Sequence, residues 1–167
     1  VFKHVFKNDV VNNKQIMRQL INIKPYIFEH FPEKEKKNKE VVLVAVETYG
    51  LALKHADESL KKDQEVVLAA VKKYGPALEF ADESLKKDKD FVLKVVGEKG
   101  LLLKYADESL KKDQDVVLAA VQQDWTALKH ASPELKKDLN IVLEAVQRNG
   151  MALEHASPEL KENLKIV

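Results

Sequence analysis

One unit of 25 residues recurs along this chain without insertion, and this fixed period most constrains the fold. Residues 113–137, DQDVVLAAVQQDWTALKHASPELKK, form one copy. The copies start at Asn38, Asp63, Asp88, Asp113 and Asp138, and another begins at Asn163. A fixed period predicts an array of stacked supersecondary units, each burying its apolar face on its neighbours.

The pattern within a unit favours helices over strands. In residues 63–87, Asp63 is a good N-cap, and VVLAAV follows with apolar residues at i, i+3 and i+4. We expect a helix over about residues 64–74, ended by Gly75 in a left-handed conformation. Residues 77–81 are expected to add one or two helical turns. A third turn begins at Asp82, which aligns with Ser132 and Ser157, each followed by Pro. The predicted fold is all-α, an α-solenoid of about six helical repeats.

The chain divides into three parts on this reading. Residues 1–12 fit the unit poorly and are interpreted as an N-terminal cap or the end of a preceding repeat. Residues 13–37 are a diverged repeat, with Pro25 at the glycine position and Phe31 at a small-residue position. Residues 38–167 hold five regular repeats and the start of another. Since Val1 opens the chain and the last residues fall inside a new unit, we expect a fragment of a longer protein.

Composition excludes several functional classes. Lys and Arg number 28 against 27 Asp and Glu, so net charge gives no case for nucleic acid or an anionic membrane. The absence of cysteine removes disulfides and thiolate metal sites, and suits a reducing, cytoplasmic compartment. Apolar runs are too short for a membrane span.

The repeat pattern resembles a known family. D-x-x-V-V-L-x-A-V-x-x-x-G-x-A-L-x-x-A-x-x-x-L-K-x-D covers residues 38–167 well and 13–37 weakly. It is similar to an uncharacterised repeat, a domain of unknown function, of intracellular bacteria such as Legionella, protists and algae. The resemblance implies a helical module in a larger protein, such as a secreted effector delivered into a host cytoplasm, and no catalytic residue. Gly97, Val95 and Trp125 depart from the pattern.

Histidine recurs at one register of the unit, at His30, His55, His130 and His155. A histidine column could bind a metal, but Phe80 and Tyr105 occupy the same register. A position that accepts Phe and Tyr is an aromatic packing position, so we predict structural imidazoles, no metal and no cofactor.

Lysine pairs also recur, as in Lys61-Lys62 and Lys86-Lys87. Stacking would align them in a stripe that could follow phosphates. Acidic residues run in parallel columns, however, so we predict a neutralised, solvated surface and consider nucleic acid unlikely. Each Asp and Glu that can be placed is interpreted as a helix cap or as part of a solvated helix face. No nucleophile or phosphate-loop motif occurs, so no enzyme is predicted within this segment.

The residues on either side of the glycine position vary between repeats. They include more aromatic and apolar residues than a purely solvent-exposed edge would need. Trp and Tyr are common interface anchors. The predicted partner-binding residues are Tyr49, Tyr74, Lys99, Leu101, Trp125 and Met151. The alternative is that these side chains pack on the next repeat. Because Trp125 replaces glycine, we also expect a local backbone irregularity there.

These observations predict a non-catalytic helical-repeat module that binds an unknown protein or peptide partner or acts as a scaffold. Two alternatives stay open. One is a passive spacer that sets the distance between other domains. The other is an accessory segment of an enzyme whose catalytic domain lies outside this sequence.

Overall fold

A computed structural model describes residues 13–164, and these are built from short helices with no strand among them. The predicted all-α repeat fold is confirmed. The chain forms two compact units, Val1–Asp82 and Glu83–Val167. The predicted N-terminal cap, residues 1–12, lies outside the described residues.

A helix of ten residues opens each repeat. These helices are α1 (Lys14–Ile23), α2 (Lys39–Thr48), α3 (Gln64–Lys73), α4 (Lys89–Glu98), α5 (Gln114–Gln123) and α6 (Leu139–Arg148). The predicted caps are confirmed: Asp63 Oδ1 accepts the backbone N–H groups of Glu65 and Val66, at 3.0 and 3.2 Å. This carboxylate satisfies donors that the first helical turn leaves without intrahelical partners.

A six-residue 3₁₀ helix follows each long helix after a single linking residue. The six are Pro25–His30, Gly50–His55, Gly75–Phe80, Gly100–Tyr105, Trp125–His130 and Gly150–His155. The prediction of helical turns near residues 77–81 is confirmed, but the 3₁₀ helix begins two residues earlier, at Gly75, and ends at Phe80. Its leucine faces the core, as Leu78, 1% exposed, shows.

A third short helix closes each repeat. These helices are Glu33–Lys36, Glu58–Lys61, Glu83–Lys87, Leu110–Lys112, Leu135–Lys137 and Pro158–Leu164. The Ser132 hydroxyl accepts the Leu135 N–H at 3.3 Å, which confirms the predicted serine cap. The last of these helices runs through Asn163, so the helix start expected at Asn163 is not formed.

The first unit packs α1 against α2, and α2 against α3. Val42, Leu53 and Val66 are completely buried between them. A backbone hydrogen bond also joins successive repeats: the Asp57 N–H donates to the Lys36 carbonyl at 3.0 Å. The Asp82 N–H donates to the Lys61 carbonyl in the same way, also at 3.0 Å.

The second unit repeats this arrangement, with α4 packed against α5 and α5 against α6. Leu103, Val117 and Ile141 are completely buried. The inter-repeat hydrogen bond recurs from Asp107 to Lys86 at 3.0 Å, and from Ser132 to Lys111 and Ser157 to Lys136 at 2.9 Å.

The role predicted for the repeated glycine is wrong. No glycine among the described residues has a positive φ. A Cβ on Gly50 would instead lie 2.6 Å from the Ala70 carbonyl oxygen and 2.8 Å from the Tyr74 Cβ. Glycine is present because the end of the next repeat's long helix approaches its backbone closely.

The irregularity expected at Trp125 is also absent. Asp124, before Trp125, has φ −147° and ψ 108°, close to the −147° and 102° of Tyr74, before Gly75. Since no repeat needs a left-handed residue at this point, a tryptophan meets no backbone penalty.

Candidate interaction surface

The predicted partner-binding residues take two kinds of position. Tyr49, Tyr74 and Lys99 are C-cap residues of the long helices, with φ between −140° and −147°. Trp125 begins a 3₁₀ helix, and Leu101 and Met151 are second residues of such helices. Tyr49 and Tyr74 belong to the first unit and the other four to the second.

Three tyrosines of the first unit form what we call the tyrosine edge: Tyr26, Tyr49 and Tyr74. The ring of Tyr26 meets the ring of Tyr49 edge to face, with centroids 5.7 Å apart and planes at 79°. Tyr26 is 68% exposed and Tyr74 is 45% exposed, whereas Tyr49 is half-buried. Burial raises the pKa of Tyr49, and the nearby phenols of Tyr26 and Tyr74 raise this pKa further.

Sequence reasoning missed Tyr26. This residue follows Pro25, which stands at the glycine position, so Tyr26 holds the same register as Leu51 and Leu101. That register was the available signal, but the divergence of residues 13–37 hid it.

The apolar surface continues beyond Tyr26. Ile23, at the end of α1, is 75% exposed. Ile23 and Tyr26, with Lys24, Pro25 and Ile27 among the other residues, line a shallow depression of about 420 Å³. An exposed Ile beside an exposed Tyr forms a contiguous apolar patch, and such patches mark interaction sites more often than single exposed apolar residues do.

In the second unit, Trp125 packs on a neighbouring repeat. Its indole stacks on the imidazole of His155, with centroids 6.1 Å apart and planes at 21°. Trp125 is half-buried as a result, and His155 lies outside the predicted set. Leu101 and Met151, 38% and 59% exposed, are the accessible apolar members of the set in this unit. Lys99 is half-buried.

The histidine register is an edge position of the core. His55, His130 and His155 are half-buried, as are Phe80 and Tyr105, while His30 is exposed. Burial, reinforced by the positive charges of nearby lysines, lowers the pKa of His130 to about 4. Its Nε2 atom is buried without a hydrogen-bond partner. Within residues 13–164, no cluster of His, Asp and Glu side chains is placed to hold a metal ion.

Several lysines of the repeated pairs contact acidic residues, whereas Lys136 Nζ donates to the Lys129 carbonyl. Lys61 pairs with Glu58 at 2.7 Å within its own short helix, and Lys62 reaches Asp82 of the next repeat at 3.9 Å. Lys111 pairs with Glu108 at 2.7 Å in the second unit. None of the helices described is long and apolar enough to cross a membrane.

The helical repeats and their capped, ion-paired surface define an all-α repeat protein. Comparison with family models gives matches at residues 38–86, 88–136 and 138–167 to a domain of unknown function, DUF4116. These ranges cover more than half of the chain, which therefore belongs to this family. Each of the first two ranges spans two of the 25-residue repeats. Comparisons with curated proteins and with solved structures found no match.

Proposed function

We propose that this chain is a non-catalytic protein-interaction module that binds a protein or peptide through the tyrosine edge. Leu101 and Met151 are further accessible apolar side chains, in the other unit. The observation that carries the proposal is the contact of Tyr26 with Tyr49. It holds the Tyr26 ring in place while 68% of that residue stays exposed.

A held but exposed aromatic ring suits binding. Most binding energy comes from a few side chains, and Tyr is enriched among them. A ring already fixed by a neighbour loses little conformational freedom when a partner covers it. Tyr74 and Ile23 extend the apolar area that a partner would cover, being 45% and 75% exposed.

The charged groups support a partner other than nucleic acid. Lys61 and Lys62 each have an acidic neighbour within 4.0 Å, so a phosphate backbone would have to compete with carboxylates. The carboxylates themselves serve local structure: Asp57 accepts the Ser59 hydroxyl and N–H, and Asp63 caps α3. These roles favour a non-catalytic module.

The proposed setting is the cytoplasm of the producing cell, or of a host cell if the module belongs to an effector. The lack of cysteine supports a reducing compartment. The effector role rests on the resemblance of the repeat pattern alone.

The test compares two double variants. Tyr26→Ala with Tyr74→Ala removes the exposed rings, whereas Lys34→Ala with Lys54→Ala changes two exposed residues of the same unit. Partners captured from native lysate by the wild type are purified and titrated against each variant, and circular dichroism melting checks folding. We expect the tyrosine variant to lose about tenfold or more in affinity and the lysine control to bind normally. Equal binding by both variants would reject the tyrosine edge as the binding surface, whereas failure of the wild type to capture any partner would favour a passive spacer.

A further inference from the structure

A second apolar surface lies on the last 3₁₀ helix of the chain. Gly150, Met151, Leu153, Glu154 and Lys161 line a shallow depression of about 440 Å³. Met151 is 59% exposed, and Gly150 is also exposed.

Earlier repeats show the same surface covered. Gly50 and Gly100 are buried, and the leucines three residues later, Leu53 and Leu103, are completely buried. At the corresponding positions of the last repeat, Gly150 is exposed and Leu153 is only half-buried. The backbone is the same, since each of these glycines begins a six-residue 3₁₀ helix.

The covering element in the earlier repeats is the long helix that follows. Its seventh residue, Ala70 in α3, points a carbonyl oxygen at Gly50, 2.6 Å from where a Cβ would be. The Ala120 carbonyl of α5 approaches Gly100 in the same way. No heavy atom of the described residues lies within 4 Å of a Cβ built on Gly150.

Glycine at this register is therefore explained by close approach and not by backbone conformation. Trp125 fills the register with an ordinary backbone. At Gly150 neither a positive φ nor a neighbouring carbonyl accounts for glycine.

A backbone hydrogen bond joins successive repeats close to this register. The first lysine of each repeated pair, from Lys36 to Lys136, accepts a backbone N–H from the next repeat through its carbonyl. The distances are 3.0 Å at Lys36 and 2.9 Å at Lys111. Lys161 holds the same register and lines the depression. An incoming repeat would thus meet an apolar surface that Lys161 borders.

We propose that the surface formed by Gly150, Met151 and Leu153 is a docking site for one occupant, a further repeat of this same family. The contact would be made by the ten-residue helix of that repeat, with a small residue at its seventh position. The carbonyl of that residue would lie against Gly150, as the Ala70 carbonyl lies against Gly50.

The test joins residues 1–162 to an in-register copy of residues 113–137. Gly150→Ala is introduced into this extended chain and into the original chain. Gly97→Ala serves as the matched control, because nothing lies within 4 Å of a Cβ on Gly97. Thermal melting and hydrogen exchange of the appended helix are the measurements.

We expect Gly150→Ala to lower the melting temperature of the extended chain and leave that of the original chain unchanged or higher. The amides of the appended helix should exchange about tenfold faster or more in the extended Gly150→Ala chain than in its parent. Gly97→Ala should act alike in both chains. An equal effect of Gly150→Ala in both chains, or an appended helix whose amides exchange like an unfolded peptide, would overturn the proposal.

Discussion

The carbonyl oxygen of Ala70 lies 2.6 Å from the position that a Cβ would occupy on Gly50. Gly50 begins the 3₁₀ helix of one repeat, and Ala70 lies in the long helix of the next. This approach, together with the backbone hydrogen bond from Asp57 to Lys36, fixes how successive repeats of the first unit stack.

Replacing His130 with Phe should reduce the loss of folding stability that occurs as the pH falls. The ordinary pKa of histidine is 6.5, and burial lowers that of His130 to about 4. As pH falls between these values, the unfolded chain binds a proton that the folded chain does not, so wild-type stability is lost. Phe80 occupies the same register, so His130→Phe should fit.

Urea unfolding at pH values from about 7.5 to about 4 would measure this effect. The advantage of His130→Phe over wild type should grow as the pH falls. His130→Tyr should behave similarly, because Tyr105 fills this register. Parallel stability curves for wild type and variants would show that His130 is not held neutral.

The chain has one tryptophan, so fluorescence reports directly on the contact of Trp125 with His155. His155→Ala should uncover the indole, shift its emission to longer wavelength and increase quenching by acrylamide. His155→Phe should keep the indole covered, since Phe is accepted at this register. An unchanged spectrum in His155→Ala would mean that the two rings do not stack in solution.

Asp113 should contribute more to stability than its neighbour Asp115. Asp113 caps α5 by accepting the Val116 N–H and also binds Lys89 of the preceding repeat at 2.8 Å. Lys89 donates hydrogen bonds to the carboxylates of Asp113 and Asp115, and these bonds raise the pKa of Lys89 to about 12. Loss of a helix cap typically costs about 1 kcal/mol.

Asp113→Ala should therefore reduce the free energy of unfolding by about 1–2 kcal/mol. Asp115→Ala is the matched control, because Asp115 makes an exposed ion pair to Lys89 but does not cap α5. This variant should cost less than about 0.5 kcal/mol. Equal losses in the two variants, measured by urea unfolding, would mean that the cap is not the important contact.

The 25-residue period was sufficient to predict the fold because every repeat carries its own caps and apolar positions. Asp63 and Ser132 are recognisable as caps from their neighbours in sequence alone. The candidate site was only partly predictable. The contacts of Tyr26 with Tyr49 and of Trp125 with His155 join different repeats. The sequence alone does not specify how close two adjacent repeats lie in space, so these contacts could not be predicted.

The left-handed conformation predicted for the repeated glycine was wrong for the same reason. A glycine after a helix usually indicates a left-handed residue, and nothing in one repeat reveals that a neighbour's carbonyl occupies the space of its Cβ. Trp125 was expected to distort the chain only because of that reading.

The stacking of repeats at the glycine register is tested most directly by the free energy of unfolding of Gly50→Ala. The added methyl would meet both the Ala70 carbonyl and Tyr74, so the account predicts a loss of about 1–3 kcal/mol. Gly97→Ala, in the last turn of α4 where nothing lies near the added methyl, should instead gain about 0.5–1 kcal/mol from helix propensity. A Gly50→Ala variant as stable as wild type would contradict the close approach of successive repeats.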